Sequence, residues 1–383
     1  MAMKTSLYVH IPFCIRKCPY CDFNSLAGSE IPLSDYTHAV IAEMEIRRSL
    51  LPIDLSASTL YLGGGTPSLL EPDQIAAIVE SAKRNYALSP DAEITLEANP
   101  GTVDGERLGS FRSKGVNRLS LGIQSFSDGM LTRLGRVHTA GEGVEAFNAA
   151  REAGFDNIGI DLIHSLPGQT PSMWLKELER AVSLRPEHIS AYGLTVEPGT
   201  PFHSMEKEGL LLLPDDESAA EMFEMTSTYL RNAGYEHYEI SNFALPGLRS
   251  RHNQVYWERG NYIGFGAGAH SFLSRPPYGR RWRNPDPPEI YIQTVSAGVV
   301  PELEKVSLTE RQAMAEMLFL GLRMIEGVDV EKFRTEFGIP IEDAYGEQLP
   351  QLLDKGLLEW NYPLLRLSSK GLSISNQVVM LFL

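Results

Sequence analysis

Cysteine is nearly absent from this chain. Its 383 residues include three, Cys14, Cys18 and Cys21, all within the stretch "YVHIPFCIRKCPYCDF". An odd number of clustered thiols argues against a disulfide framework, and the N-terminus lacks the basic, apolar, small-residue order of a secretory leader. Positive charge is also short, with 34 Lys and Arg against 49 Asp and Glu, a net −15. That balance disfavours general nucleic-acid binding, which is driven by neutralising phosphates. No apolar run approaches the roughly 20 residues of a spanning helix. What is present is globular: 43% hydrophobic and 22% charged. The expectation is a reducing, cytoplasmic setting, with any membrane contact peripheral, and thiols kept free to bind something.

Residues 5–300 alternate short apolar runs with amphipathic stretches. "TSLYVHI" (5–11), "TLYLGGG" (59–65), "EITLEANP" (93–100), "RLSLGIQSF" (118–126), "NIGIDLIHSLPG" (157–168) and "HISAYGLTVEPG" (188–199) read as six buried strands. Helical patterns lie between them, over 33–50, 72–86, 104–114, 127–134, 141–153, 171–184 and 215–233. Such alternation predicts βαβ units and a parallel sheet. Six units suit an open barrel better than a complete one of eight. "YEHYEISNFA" (235–244) adds a further strand. Beyond residue 300 the pattern changes to helices followed by a small hairpin in "LLEWNYPLLRLSSKG", with Ser307 and Glu310 spaced as a capping box. The expected fold is α/β: a partial (β/α)6 TIM-like barrel with a winged-helix-like C-terminal appendage. Its expected divisions are 1–235 for the core, 236–300 for an extension of the barrel and 301–383 for the appendage.

Three thiolates suit a cubane of four irons, for which cysteine is the usual ligand. Three leave one iron open to an outside chelator such as the amino and carboxylate groups of S-adenosylmethionine (SAM), whose sulfonium an electron from the cluster can cleave. The competing reading is zinc, with His10 as fourth ligand, but zinc motifs more often arrive as two separated CxxC pairs.

Further candidate residues stand at the C-terminal ends of the strands, where parallel α/β folds gather their sites. "GGGTPS" brings Gly64, Gly65 and Thr66 to the end of the second strand, where bare backbone can approach a ligand closely. Glu97 in "LEAN" can accept from an ammonium group. Gln124 and Asp161 can accept from ribose hydroxyls, and Arg136 in "LGRVH" can fork onto a carboxylate.

These motifs, together with "YVHIPFC", "GRVHT", "DLI" before "LPGQ", "RHNQVYW" and "GFGAGAHS", run through nearly the whole chain. The combination resembles radical-SAM proteins of the oxygen-independent coproporphyrinogen oxidase-like group, most closely the HemW-type haem chaperones. The resemblance implies a radical-SAM barrel carrying a 4Fe-4S cluster on Cys14, Cys18 and Cys21. It also implies SAM contacts at Tyr8, Tyr20, Gly64, Gly65, Thr66, Glu97, Gln124, Arg136 and Asp161. Ser165 stands where a glycine is common in the group.

Two features bear on function. The coproporphyrinogen-oxidising members carry a further cysteine two residues after the third, where this chain has Phe23, and a longer N-terminal segment. Both differences weigh against oxidative decarboxylation. The "RHNQVYW" segment gives His252, Asn253 and Tyr256, which resemble the His-Asn-x-x-Tyr motif of the haem chaperones, and histidine is the commonest haem ligand. Arg275, Arg280, Arg281 and Arg283 lie within nine residues and suit haem propionates, with Trp257 and Trp282 available to stack on a macrocycle. His270 is a second candidate ligand. The implied cofactors are the cluster, SAM and haem. The implied partners are haem-receiving membrane proteins and an electron donor for the cluster. The alternatives are a coproporphyrinogen oxidase-like enzyme and a radical-SAM methyltransferase of the same group.

Overall fold

Strict alternation within the strands sets the architecture. The computed structural model describes residues 2–28, 32–51, 54–275 and 277–383. Its central strands are β1 (Met3–Ile11), β2 (Leu55–Gly64), β3 (Glu93–Ala98), β4 (Arg118–Gln124), β5 (Ile158–His164) and β6 (His188–Gly193). Successive side chains of a strand point to opposite faces. One face carries Leu7, Val9, Leu60, Leu62, Leu96, Leu119, Leu121, Ile158, Ile160 and Ile189, all buried in one apolar core. The other carries Tyr61, Glu97, Arg118, Ser120, Asp161, His188 and Ser190, which line a cavity.

The six strands are parallel and neighbour one another in chain order, β1-β2-β3-β4-β5-β6. Consecutive neighbours joined by right-handed crossovers put every connecting helix on the same side, which curls the sheet into a barrel wall. The helices Leu33–Leu50, Pro72–Tyr86, Ala140–Glu152, Pro171–Leu184 and Asp216–Asn232 supply that outer layer, and Tyr36, Val40, Ile75, Ile78, Phe147, Trp174 and Met222 pack onto the apolar face. Their starts are chemically marked. Glu71 caps the second of these helices with Pro72 in its first turn, and Thr139 with Glu142 forms a capping box on the third.

The barrel stays open. "YEHYEISNFA", expected as one strand, makes two short ones, β7 (Glu236–Glu239) and β8 (Asn242–Ala244), and β8 runs antiparallel to β6. On the other side β9 (Tyr262–Phe265) joins β1 in parallel, and β10 (His270–Leu273), β11 (Arg280–Arg283) and β12 (Leu303–Ser307) extend the sheet antiparallel. Among the described residues twelve strands thus form one sheet whose two edges do not pair.

The C-terminal segment builds its own core from Leu318, Phe333, Phe337, Ile341, Leu352 and Leu365. It holds helices Glu310–Gly321, Val330–Phe337 and Gln348–Asp354 and the expected hairpin, Leu358–Asn361 with Leu364–Leu367, joined by Val328–Asp329. The expected Ser307–Glu310 capping box does not form. Ser307 is held in strand β12 opposite Arg280, so the helix begins later, and Thr309 with Gln312 makes the box.

Candidate functional site

The three thiols come together in the loop that follows β1. Cys14, Cys18 and Cys21 are free, half-buried and on one wall of a cavity of about 420 Å³ inside the barrel. Two donors address the sulfurs: Thr66 Oγ1 lies 3.5 Å from Cys14 Sγ and Arg136 Nη1 lies 3.8 Å from Cys18 Sγ. Burial pushes the Cys14 and Cys21 thiols up, so without a metal they stay protonated. His10 is unavailable as a fourth ligand, because Nδ1 meets the Tyr8 hydroxyl at 2.9 Å and Nε2 meets the Asn24 carbonyl at 2.8 Å. Among the described residues no three Cys, His, Asp or Glu side chains are grouped to hold a single metal ion. Three thiols on one wall, with donors aimed at two of them, fit the cysteine ligand set of a 4Fe-4S cluster.

The glycine motif abuts this loop. Gly64 has φ of 113°, and a Cβ there would lie 2.5 Å from the His10 ring. A Cβ on Gly65 would lie 2.7 Å from the Phe13 carbonyl oxygen. Both positions therefore exclude side chains. Gly64 N donates to Glu97 Oε2 at 3.0 Å, and the Tyr61 hydroxyl donates to Oε1 at 2.7 Å. Burial, reinforced by Asp161, outweighs these bonds and pushes the Glu97 carboxyl up to about 7. Asp161 accepts from Ser120 Oγ at 2.9 and 3.1 Å, and burial raises its pKa as well. Gln124 ends β4 with φ of 67°, a strained conformation of the kind that collects at functional sites. Arg136 donates to the Gly122 carbonyl at 2.7 Å. Ser165 also has positive φ, 57°, a conformation that favours glycine, and its hydroxyl bonds His164 Nδ1 at 2.9 Å.

Of the expected SAM residues, the cavity wall brings together Tyr20, Gly64, Gly65, Thr66, Glu97, Gln124, Arg136 and Asp161. Tyr8 stands behind that wall, between His10 and the stacked pair of Tyr61 and His252.

The expected haem residues are not brought together. His252 and Tyr256 sit on a seven-residue helix, Arg251–Trp257, laid across the N-terminal ends of the strands. There the Arg251 and His252 amides donate to Glu93, the first residue of β3. The His252 ring is 1% exposed, with Nδ1 2.7 Å from Thr59 Oγ1 and Nε2 2.8 Å from the Tyr256 hydroxyl. Neither nitrogen is free for iron in this conformation, and the helix lies at the other end of the strands from the cysteine loop. Asn253 alone of the three reaches the cavity. Arg280 and Arg281 lie on the outer strand β11. Arg281 is paired with Glu316 at 2.7 Å and with the Tyr262 hydroxyl at 3.0 Å, while Arg280 lies over the Trp282 ring. Arg283 is paired with Glu304 and Asp286. Trp282 is buried between Arg47 and Arg280, and Trp257 lies under Arg323, so neither indole offers a face to a macrocycle. Arg281 and Arg283 thus spend their charge on ion pairs within the fold. His270, in contrast, is exposed, at the end of β10 opposite Arg283, and burial lowers its pKa.

The sequence reading passed over Tyr61, Arg118, Ser120, His188, Ser190 and Tyr192, all on the cavity wall. The signal was present: in "RLSLGIQ" and "HISAYG" every second residue breaks the apolar run. Reading those stretches as uniformly buried hid the polar face.

The sequence matches the Radical SAM superfamily over residues 8–181 and the HemN C-terminal domain over residues 308–374. It is 36% identical to the haem chaperone HemW of Lactococcus lactis, over 99% of this chain and 97% of that one. It is 38% identical to the haem chaperone HemW of Bacillus subtilis, over 99% of both. Its fold superposes on the solved coproporphyrinogen III oxidase HemN of Escherichia coli, a radical SAM enzyme, with a TM-score of 0.85 at 25% identity, covering 100% of this chain and 90% of that one. Among the described residues no helix is long and apolar enough to cross a membrane. Similar from end to end to these relatives and built on the same barrel, the chain belongs to the HemW family of the radical SAM superfamily.

Proposed function

We propose that this chain is a radical-SAM haem chaperone, which holds a 4Fe-4S cluster on Cys14, Cys18 and Cys21, binds SAM in the barrel and carries haem to haemoproteins of the respiratory membrane. The observation that carries the reading is the end-to-end similarity to proteins named haem chaperones, in a chain whose cysteine loop ends on an exposed Phe23.

When bound, the cluster supplies an electron to the sulfonium of SAM. The chain's own residues do the rest. Thr66 and Arg136 point donors at the Cys14 and Cys18 sulfurs, which favours their thiolates. Glu97, whose carboxyl burial pushes up to about 7, ionises on meeting the ammonium group of SAM and so links binding to release of a proton. Asp161, held in place by Ser120, and Gln124 accept from the ribose hydroxyls. Arg118, Tyr61 and the apolar outer layer keep bulk water from the closed end of the barrel.

For haem, His270 is the ligand offered without rearrangement: it is exposed and near the cysteine loop, since the preceding Gly268 abuts Asn24. The group of His252, Asn253 and Tyr256 serves as ligand in an opened state, after helix Arg251–Trp257 leaves the sheet. A haem titration of the parent protein, His270→Ala and His252→Ala, read by the Soret band, decides between them. Binding by the parent with a changed spectrum in one variant assigns the ligand; no binding by the parent rejects the chaperone reading. Conversion of coproporphyrinogen by the reconstituted protein would favour the oxidase alternative instead.

A further inference from the structure

The barrel has a second polar compartment at its closed end, below the residues assigned to SAM. Arg118 opens β4 and is 2% exposed, yet lines the cavity. Its Nε has no hydrogen-bond partner, and the attraction it feels from Glu93 and Asp161 acts through space. Those two carboxylates are committed elsewhere, Glu93 to the Arg251 and His252 amides and Asp161 to Ser120. His188 opens β6 and is 1% exposed. Its Nε2 meets the Tyr238 hydroxyl at 2.8 Å, and its Nδ1 has no partner. The two side chains share one gap, left by Gly159: a Cβ there would lie 3.4 Å from His188 Nδ1 and 3.6 Å from Arg118 Nη2. Thr95, in register with Arg118, has a buried hydroxyl without a partner, and Asn253 reaches the same cavity from the helix that closes the floor.

Buried polar groups are normally satisfied, and a buried guanidinium above all. Orphan nitrogens on Arg118 and His188 at the end of a cavity, with a third orphan atom on the neighbouring Thr95, mark a place for a ligand. A guanidinium fork matches the paired oxygens of a carboxylate. Arg118 lies six residues below Gln124 on β4, about 20 Å along the strand, so the SAM carboxylate, assigned to the cysteine end, does not serve here.

We propose that the closed end of the barrel is a carboxylate subsite, with Arg118 as the fork and Asn253, Thr95 and His188 around it. The carboxylate comes from a tetrapyrrole propionate or from a free short-chain acid. The first source rests on the chaperone reading and the second does not.

The test uses the full chain. Sodium propionate and its uncharged isostere propionamide are titrated against the parent protein, Arg118→Met and Arg118→Lys, with binding followed by ligand-observed NMR. The parent should bind propionate at least about tenfold more tightly than propionamide; Arg118→Met should lose that preference and Arg118→Lys keep part of it. In a second arm, haem and haem dimethyl ester are compared. If the propionate of haem is the ligand, the ester binds at least about tenfold more weakly to the parent and equally well to Arg118→Met. The parent comparisons need no variant to fold: equal binding of propionate and propionamide, together with equal binding of haem and its ester, overturns the subsite. So does an Arg118→Met protein that takes propionate as the parent does. Propionate binding through Arg118 without any haem binding supports the subsite and rejects the chaperone.

Discussion

Replacing Glu97 by Gln should make the empty protein more stable and bind SAM less well, and both effects should depend on pH in a stated direction. Burial raises the folded-state pKa of Glu97 from 4.5 to about 7. A raised carboxyl pKa means that the folded protein resists ionisation: stability is full below the unfolded value and is lost as pH climbs through the folded one. The window is therefore about pH 4.5 to 7. A shift of this size corresponds to about 3 kcal/mol, an upper bound because the carboxyl faces the water of the cavity. Glu97→Gln keeps an acceptor for the Tyr61 hydroxyl and removes the charge. In chemical unfolding of the cluster-free protein, the variant should gain over the parent at pH 8 and match it near pH 4. SAM binding should show the reverse. Parent affinity should rise on the order of tenfold between pH 5.5 and 7 as the carboxylate becomes available, and the variant should be weaker and flat. A parent whose stability and SAM affinity are both unchanged across that window would refute the argument.

Cys18→Ala should abolish the four-iron cluster after anaerobic reconstitution and leave a folded barrel; protein that instead takes up zinc and shows no iron absorbance would contradict the assignment. Because an open iron is oxygen-labile, protein handled in air should lose colour and regain it on reconstitution. Asp161→Ala should weaken SAM binding on the order of 10- to 100-fold, the cost of a charge-assisted hydrogen bond, as read by calorimetry; unchanged affinity removes Asp161 from the site. Gly65→Ala should destabilise the cysteine loop, since its Cβ would press on the Phe13 carbonyl 2.7 Å away, and iron content per chain should fall. Arg281→Gln should cost less than about 1 kcal/mol of stability, as expected of a partly exposed ion pair, and leave haem affinity unchanged; a large loss of haem affinity would restore the propionate role first assigned to it.

The barrel was legible because its wall is repetitive. Most of the barrel strands end in a turn the chain marks with Gly, Pro or Asn, and several outer helices start at a capping residue such as Thr139, Thr170 or Asp215. The cluster and SAM residues were legible for the same reason: strand ends are fixed by the fold, so a polar residue there points into the cavity. The haem residues failed to converge because sequence proximity says nothing of which end of the barrel a helix covers. His252 and Arg281 are near one another in the chain, yet one is sealed against Thr59 and the other is bound to Glu316 on the outer edge. Arg281 and Arg283 looked unpaired because their acidic partners, Glu316 and Glu304, arrive later in the chain from the first C-terminal helix and β12. Arg118 and His188 were missed because they stand at strand starts, where a site is not sought.

The most direct test of the account is a haem titration of the full chain with its cluster reconstituted anaerobically, accompanied by product analysis on coproporphyrinogen. The account predicts a saturable Soret shift, iron and sulfide bound through the three cysteines, and coproporphyrinogen returned unchanged. Decarboxylated porphyrinogen with no haem bound would contradict it.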